Sequence, residues 1–180
     1  MMSNLTKVIT GIGRFSYANV WEPKSINGGD AKYSVSFIIP KSDKATIKKI
    51  KAAIEEAKKE GTSKLGGKIP ANLKTPLRDG DTDKPDDEAY SDSYFINANS
   101  NIKPGIVDKN VQPILDQSEF YSGCYGRASV LFYAYNANGN KGIACGLQNL
   151  QKLKDGEPLG GRSKAEEDFD AVEVEDDFLG

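Results

Sequence analysis

Residues 120–135 read Phe120-Tyr-Ser-Gly-Cys-Tyr-Gly-Arg-Ala-Ser-Val-Leu-Phe-Tyr-Ala-Tyr135, and this stretch decides the fold. Six of the sixteen are aromatic, with a single cation, Arg127, among them. From Gly126 onward the pattern alternates. Ala128, Val130, Phe132 and Ala134 fall on one side; Arg127, Ser129, Leu131, Tyr133 and Tyr135 fall on the other. A period of two over this length describes a strand with one buried face. Asn136-Ala-Asn-Gly-Asn140 then supplies a hairpin signal. Lys141 to Leu150 is therefore expected to return alongside, interrupted by Gly142 and Gly146. The other side carries one Arg and two Tyr. Such a face either caps a sheet with tyrosine or offers flat rings on which bases can stack.

Moving outward, Leu5 to Tyr17 reads as a strand broken by Gly11 and Gly13, which suggests a bulge or a sharply curved barrel strand. Arg14 and Trp21 lie at its far end, before the turn signal Glu22-Pro23. Lys32 to Pro40 is a second clear strand, with Tyr33, Val35, Phe37 and Ile39 on one side. Asp43 to Glu60 has helical spacing of Ile47, Ile50, Ile54 and Ala57, with Ser42 or Asp43 to cap it and Gly61 to end it. Its lysines, Lys48, Lys49, Lys51, Lys58 and Lys59, form a solvated face in the simplest reading. Thr62 to Leu77 and the acidic Arg78 to Asp92 read as loops. Tyr94 to Asn99 is a strand, and Ile106 to Leu115 an extended segment. The spacing predicts a mainly β chain: an OB-fold-like five-stranded Greek-key barrel with an inserted α-helix over residues 1–162. Residues 163–180 are acidic and poor in large apolar residues, and are expected to form a disordered C-terminal tail.

Composition narrows the function. The chain contains no histidine, which excludes any triad with a His base and any His-ligated metal. Cys124 and Cys145 are too few for a disulfide framework or a zinc site and are expected to be free and buried. No apolar run approaches the roughly 18 residues of a membrane helix, and Met1 to Lys7 lacks a secretory h-region. A cytoplasmic protein with no membrane partner is expected. The net charge of −2 conceals a segregation. Residues 165–180 hold eight acids and no base, so residues 1–164 carry 24 basic against 18 acidic residues, a net +6. Asp79 to Asp92 alone sets seven acids against Lys84; without it the body is about +12. A basic body with an acidic end points to a polyanion partner.

Single-stranded nucleic acid exposes base faces and a charged backbone, so a binder needs rings for the first and cations for the second. The sequence interleaves them: Arg14 with Trp21, Lys32 beside Tyr33, Tyr94 with Lys103, Tyr125 with Arg127, then Tyr133 and Tyr135, and Lys152 with Lys154. Bases are expected on Trp21, Tyr133 and Tyr135, while Phe37, Phe132 and Tyr33 suit the core. In the tail, Asp168, Phe169, Asp176, Asp177 and Phe178 combine carboxylates with aromatic anchors. Such a tail can compete with a nucleic-acid backbone or dock on basic, apolar pockets of partner proteins. The loop Asp79 to Glu88 matches the first ligand positions of a calcium loop through Asp79, Asp81 and Asp83. It then fails at Lys84 and Tyr90, where glycine and glutamate are needed. A metal-dependent nuclease built on this loop is the alternative function. The main reading names no catalytic residue, metal or cofactor.

Several short motifs carry a further likeness. They are Pro76-Leu-Arg-Asp-Gly-Asp81, Phe120-Tyr-Ser-Gly-Cys-Tyr125, Gly142-Ile-Ala-Cys-Gly-Leu147, Asp155-Gly-Glu157 and Leu159-Gly-Gly161. In this order and spacing the chain resembles the phage-encoded single-stranded DNA-binding proteins over nearly its whole length. The resemblance implies an OB-fold that coats single-stranded DNA in phage replication or recombination, often as a dimer, with an acidic tail. It also implies replication or recombination proteins as the tail's partners, in the host cytoplasm. The tail departs from relatives that end on Phe, because Leu179 and Gly180 follow Phe178.

Overall fold

In the computed structural model, described for residues 5–25, 28–159 and 169–172, the hairpin predicted from Tyr125 onward is the longest feature. The strands β7 (Tyr125–Ala137) and β8 (Asn140–Lys154) pair antiparallel around Asn138-Gly139, with Phe132 opposite Cys145 and Tyr135 opposite Gly142. Alternation holds along β7: Ala128, Val130, Phe132 and Ala134 are buried, while Arg127 and Tyr133 are exposed.

Before the hairpin come β1 (Lys7–Ile9), β2 (Gly13–Lys24), β3 (Lys32–Pro40), β4 (Leu77–Asp79), β5 (Ser93–Ser100) and β6 (Gly105–Val107). Five of the eight strands close a ring. β7 pairs with β2, β2 with β3, β3 with β5, β5 with β8 in parallel, and β8 with β7. This is the expected five-stranded barrel. The count of five misses three short additions: β1 on β7, which the reading merged with β2 into one strand from Leu5, β4 on β5 and β6 on β8. Each has only three residues, too few for a period to register. The Glu22-Pro23 turn is also corrected. β2 runs through it to Lys24, which pairs with Lys32. Here the strand is exposed, a setting in which proline is tolerated.

The helix α1 (Lys44–Glu60) begins at Asp43, whose carboxylate accepts from the Thr46 backbone N–H (3.1 Å) and the Thr46 hydroxyl (2.6 Å). Ile47, Ile50, Ala53, Ile54 and Ala57 are buried, and α1 packs on β7. At Gly61 a Cβ would lie 2.2 Å from the Ala134 Cβ, so the helix end is seated directly on the barrel. Within the barrel the Phe15 ring lies 5.1 Å from Phe37 and 4.8 Å from Phe120, centroid to centroid. Cys124 and Cys145 are free and buried, and burial pushes both thiols up. No helix among the described residues is long and apolar enough to cross a membrane.

The reading of 78–92 as a loop is corrected, although most of its acids are exposed. It contains the end of β4, the short helix α2 (Gly80–Asp83) and a 3-10 turn over Glu88–Tyr90. Tyr90 is fully buried, packs edge-on against Phe95 at 5.0 Å, and donates to the Ser36 hydroxyl at 2.8 Å. Ile38, Tyr90 and Phe95 thus form a second small core outside the ring. β3 is consequently buried on both faces from Val35 to Ile39. Residues 160–168 and 173–180, including Asp168, Asp176, Asp177 and Phe178, lie outside the described residues; Phe169 is described and exposed.

Candidate nucleic-acid interface

The two-sided burial of β3 raises the 78–92 segment above the barrel as a wall. Beside it opens a cleft of about 640 Å³ across β2, β3 and β5, lined by Tyr17, Asn19, Lys24, Lys32, Lys84, Asn97 and Asn99 among others. This lies within the range of ligand sites. The cleft continues in both directions. Lys32 and Asn99 are shared with a second depression that reaches Leu131, Tyr133 and Gly146. Tyr133 is shared in turn with a third, holding Tyr135, Asn136 and Lys64. At the opposite end Tyr17 and Lys84 are shared with a depression bounded by Asp83, Asp86, Asp87 and Glu88. Successive depressions thus join through shared residues across five strands, with rings and cations interspersed.

Local structure explains each group in these depressions. Tyr17 sits where the β2–β3 register shifts between Ser16 and Asn19. The bulge turns its backbone to φ +47 and leaves its ring 58% exposed. A left-handed tyrosine is a costly conformation, of the kind that clusters at ligand sites. Lys84 Nζ stands 5.0 Å from the Tyr17 ring centroid and 5.7 Å from that of Tyr90. Lys24 and Lys32 face each other across β2 and β3. Like charges directly opposite destabilise a sheet, and a bound anion relieves them. Tyr133 is 41% exposed and leans toward Gly146, where an added Cβ would come within 3.4 Å of the ring. The Tyr135 ring covers Gly142: a Cβ there would meet its Oη at 2.6 Å.

The segment that carries Lys84 is tied down by ion pairs at its start. Lys41 Nζ pairs with Asp81 at 2.8 Å and with Asp79 at 3.0 Å. These bonds raise Lys41 above its ordinary pKa. They also hold Asp81 below the ordinary carboxylate range, with help from the Asp92 backbone N–H. Asp79 and Asp81 are therefore engaged as a clasp on Lys41, the residue that follows β3. Asp83 is paired with Arg78 at 2.7 Å.

Of the residues singled out in the sequence, Lys32, Tyr133 and Tyr135 line these depressions. The others fall in separate groups. Arg14 donates to the Gly123 carbonyl (3.1 Å) and the Glu157 carbonyl (2.6 Å), and its guanidinium lies 5.2 Å from the Tyr125 ring. Lys154 flanks the same ring at 5.7 Å. Lys152 pairs with Asp155 (2.6 Å) and Glu119 (3.4 Å); burial pulls its pKa down, but the two carboxylates outweigh this and leave it raised. Tyr121 bonds Asp155 and both polar backbone atoms of Gly156. This group pins residues 155–159 to the barrel. Tyr125 is eight strand residues from Tyr133, roughly 27 Å along β7. Arg127 is exposed but donates to the Thr10 carbonyl at 3.0 Å. Trp21 packs on the core and donates to the Phe120 carbonyl at 3.0 Å, with Lys103 5.2 Å from its ring. Tyr94, also packed on the core, lies between Lys41 (5.3 Å) and Lys51 (5.9 Å).

Sequence reasoning missed Tyr17, Lys24, Lys84 and the asparagines. Lys84 carried a signal, as the one cation inside seven acids. Tyr17 carried none, because a bulge breaks the alternation that would have placed it.

Comparison with known proteins bears on the fold and the family. A family model described as the Enterobacter phage Enc34 ssDNA-binding protein matches residues 6–179. The structure of the bacteriophage Enc34 single-stranded DNA-binding protein in complex with ssDNA superimposes with a TM-score of 0.78 at 26% identity, covering 86% of this chain and 90% of that one. Bacteriophage T7 gp2.5, a single-stranded DNA-binding protein, shares the fold with a TM-score of 0.62 at 16% identity, covering 94% and 95%. Protein p50 of Acyrthosiphon pisum secondary endosymbiont phage 1 is 33% identical over 170 residues, 89% of this chain and 91% of that protein. A barrel of this topology, matched from end to end, places the chain in the Enc34-type family of phage single-stranded DNA-binding proteins.

Proposed function

We propose that this chain binds single-stranded DNA without sequence preference in the cleft that runs from Tyr17 to Tyr135. It coats that DNA during phage replication or recombination in the host cytoplasm. One observation carries the reading: exposed rings (Tyr17, Tyr133) and exposed cations (Lys24, Lys32, Lys64) are interspersed along the joined depressions. Rings stack any base, and lysines meet any phosphate, so sequence preference is not required. The asparagines at 19, 97 and 99 offer both donors and acceptors, which suits any base edge. The protein carries DNA rather than cutting it. The engagement of Asp79 and Asp81 with Lys41 supports that assignment.

The acidic tail, from residue 163 on, competes with DNA for the cleft and recruits replication or recombination proteins. Its eight carboxylates and the basic body support this. The protein works as a homodimer, and the exposed Leu5, Ile9 and Ile12 around the edge strand β1 offer apolar surface for the contact. Titration of labelled oligo-dT at a series of salt concentrations tests the function. Affinity falls steeply with salt if several lysines release counterions from DNA. A flat response between low and moderate salt contradicts the proposal.

A further inference from the structure

The 78–92 wall presents two different surfaces to the cleft. Inward, beside Tyr17, it offers one cation, Lys84. In the adjoining depression, which Tyr17 and Lys84 also line, it offers Asp86, Asp87 and Glu88. Among the described residues no cation comes within ion-pair distance of Asp86 or Glu88, and both are exposed. The wall does not need these charges to hold its place: the Lys41 clasp, the Arg78–Asp83 pair and buried Tyr90 do that. From this arrangement we infer that the wall is a strand-number filter: Tyr17 and Lys84 accept one unpaired strand, while Asp86 and Glu88 repel the second backbone of a duplex.

A duplex offers the cleft less than a single strand does. Its bases are already stacked and paired, so it cannot use Tyr17 or Tyr133. It is left with its backbone, which binds by counterion release alone. A basic body invites that mode. Carboxylates beside the cleft oppose it, because they repel any further backbone that comes within the Debye length of about 8–10 Å at working salt. A single strand stacked on Tyr17 keeps its one backbone on the Lys84 side and avoids them. The filter therefore acts on the difference between two ligands rather than on affinity as such.

The inference rests on the single-stranded reading, and its test separates the two. Full-length wild type and the variant Asp86→Asn/Glu88→Gln are titrated by anisotropy with labelled oligo-dT and with a blunt duplex of equal length. The control is Glu55→Gln/Glu56→Gln on α1, which changes net charge equally and lies outside the cleft lining. The filter predicts that the wall variant binds duplex more tightly by a factor at least about threefold larger than its gain for oligo-dT, whereas the control shifts both equally. An unchanged ratio, or the same change in the control, overturns the filter and leaves single-strand binding standing. Failure of wild type to bind oligo-dT overturns both.

Discussion

At Tyr17 strain, exposure and charge meet. Its backbone is strained and its ring exposed, and Lys84 stands over it. If it stacks a base, Tyr17→Ala removes about 1–3 kcal/mol of binding, a rise in Kd of roughly 5- to 150-fold. Tyr17→Phe keeps most of the affinity. Tyr17→Gly suits a positive φ, so its melting temperature is expected to stay at or above that of Tyr17→Ala while binding is equally lost. Calorimetry and anisotropy on the three variants check this together. Lys32 makes a second case. Lys32→Met removes the like-charge contact with Lys24 and leaves stability unchanged or slightly higher. It lowers the slope of log affinity against log salt by about 0.7, the share of one phosphate on a single strand. Trp21 is expected to report little: with its ring seated on the core, fluorescence quenching by oligo-dT is small.

At the scale of elements, the wall is positioned by remote contacts. Lys41 is not among the residues that line the cleft, yet its clasp on Asp79 and Asp81 ties down the segment that carries Lys84. Lys41→Met is expected to weaken oligo-dT binding and reduce the salt slope, and Lys41→Arg to restore both. The clasp depends on ionised Asp81, whose pKa is depressed below its ordinary 3.8. A carboxylate depressed in the fold stabilises it above the ordinary value, and that contribution is lost as pH falls through the depressed one. The gap in melting temperature between wild type and Lys41→Met should therefore close below about pH 4. The barrel seam offers a separate check. An added Cβ at Gly126 would lie 1.8 Å from the Gln151 carbonyl oxygen, so Gly126→Ala forces β7 and β8 apart. It should cost about 1–3 kcal/mol in denaturant melts.

Across the whole molecule, what the sequence made legible was whatever repeats over a long stretch. The β7–β8 hairpin, β3 and the capped helix announce themselves through period and turn chemistry, and the five-strand ring through short strands bent at glycines. The short strands β1, β4 and β6 do not, and neither does the bulge at Tyr17. The acidic loop looked solvated because its charges dominate; its fold depends on Tyr90, one ring among polar residues, finding Phe95 and Ile38. The site was read as aromatic and basic, but several rings and cations are spent on structure. Arg14, Tyr125 and Lys152 fasten residues 155–159 to the barrel, an arrangement no local pattern encodes. Charge operates at this scale too. Removing residues 165–180 changes the formal charge from −2 to +6. It is expected to tighten DNA binding, and unchanged or weaker binding contradicts the competing-tail mechanism.

The path of the strand is the central claim, and two tyrosines on one strand test it most directly. Tyr133 lines the cleft; Tyr125, on the same strand, lies among the groups that fasten residues 155–159. The measurement is the affinity of Tyr133→Ala and Tyr125→Ala for labelled oligo-dT, each verified as folded. The cleft path predicts a loss of at least fivefold for Tyr133→Ala, consistent with a stack worth about 1 kcal/mol or more, and a change within twofold for Tyr125→Ala. The reverse order contradicts it.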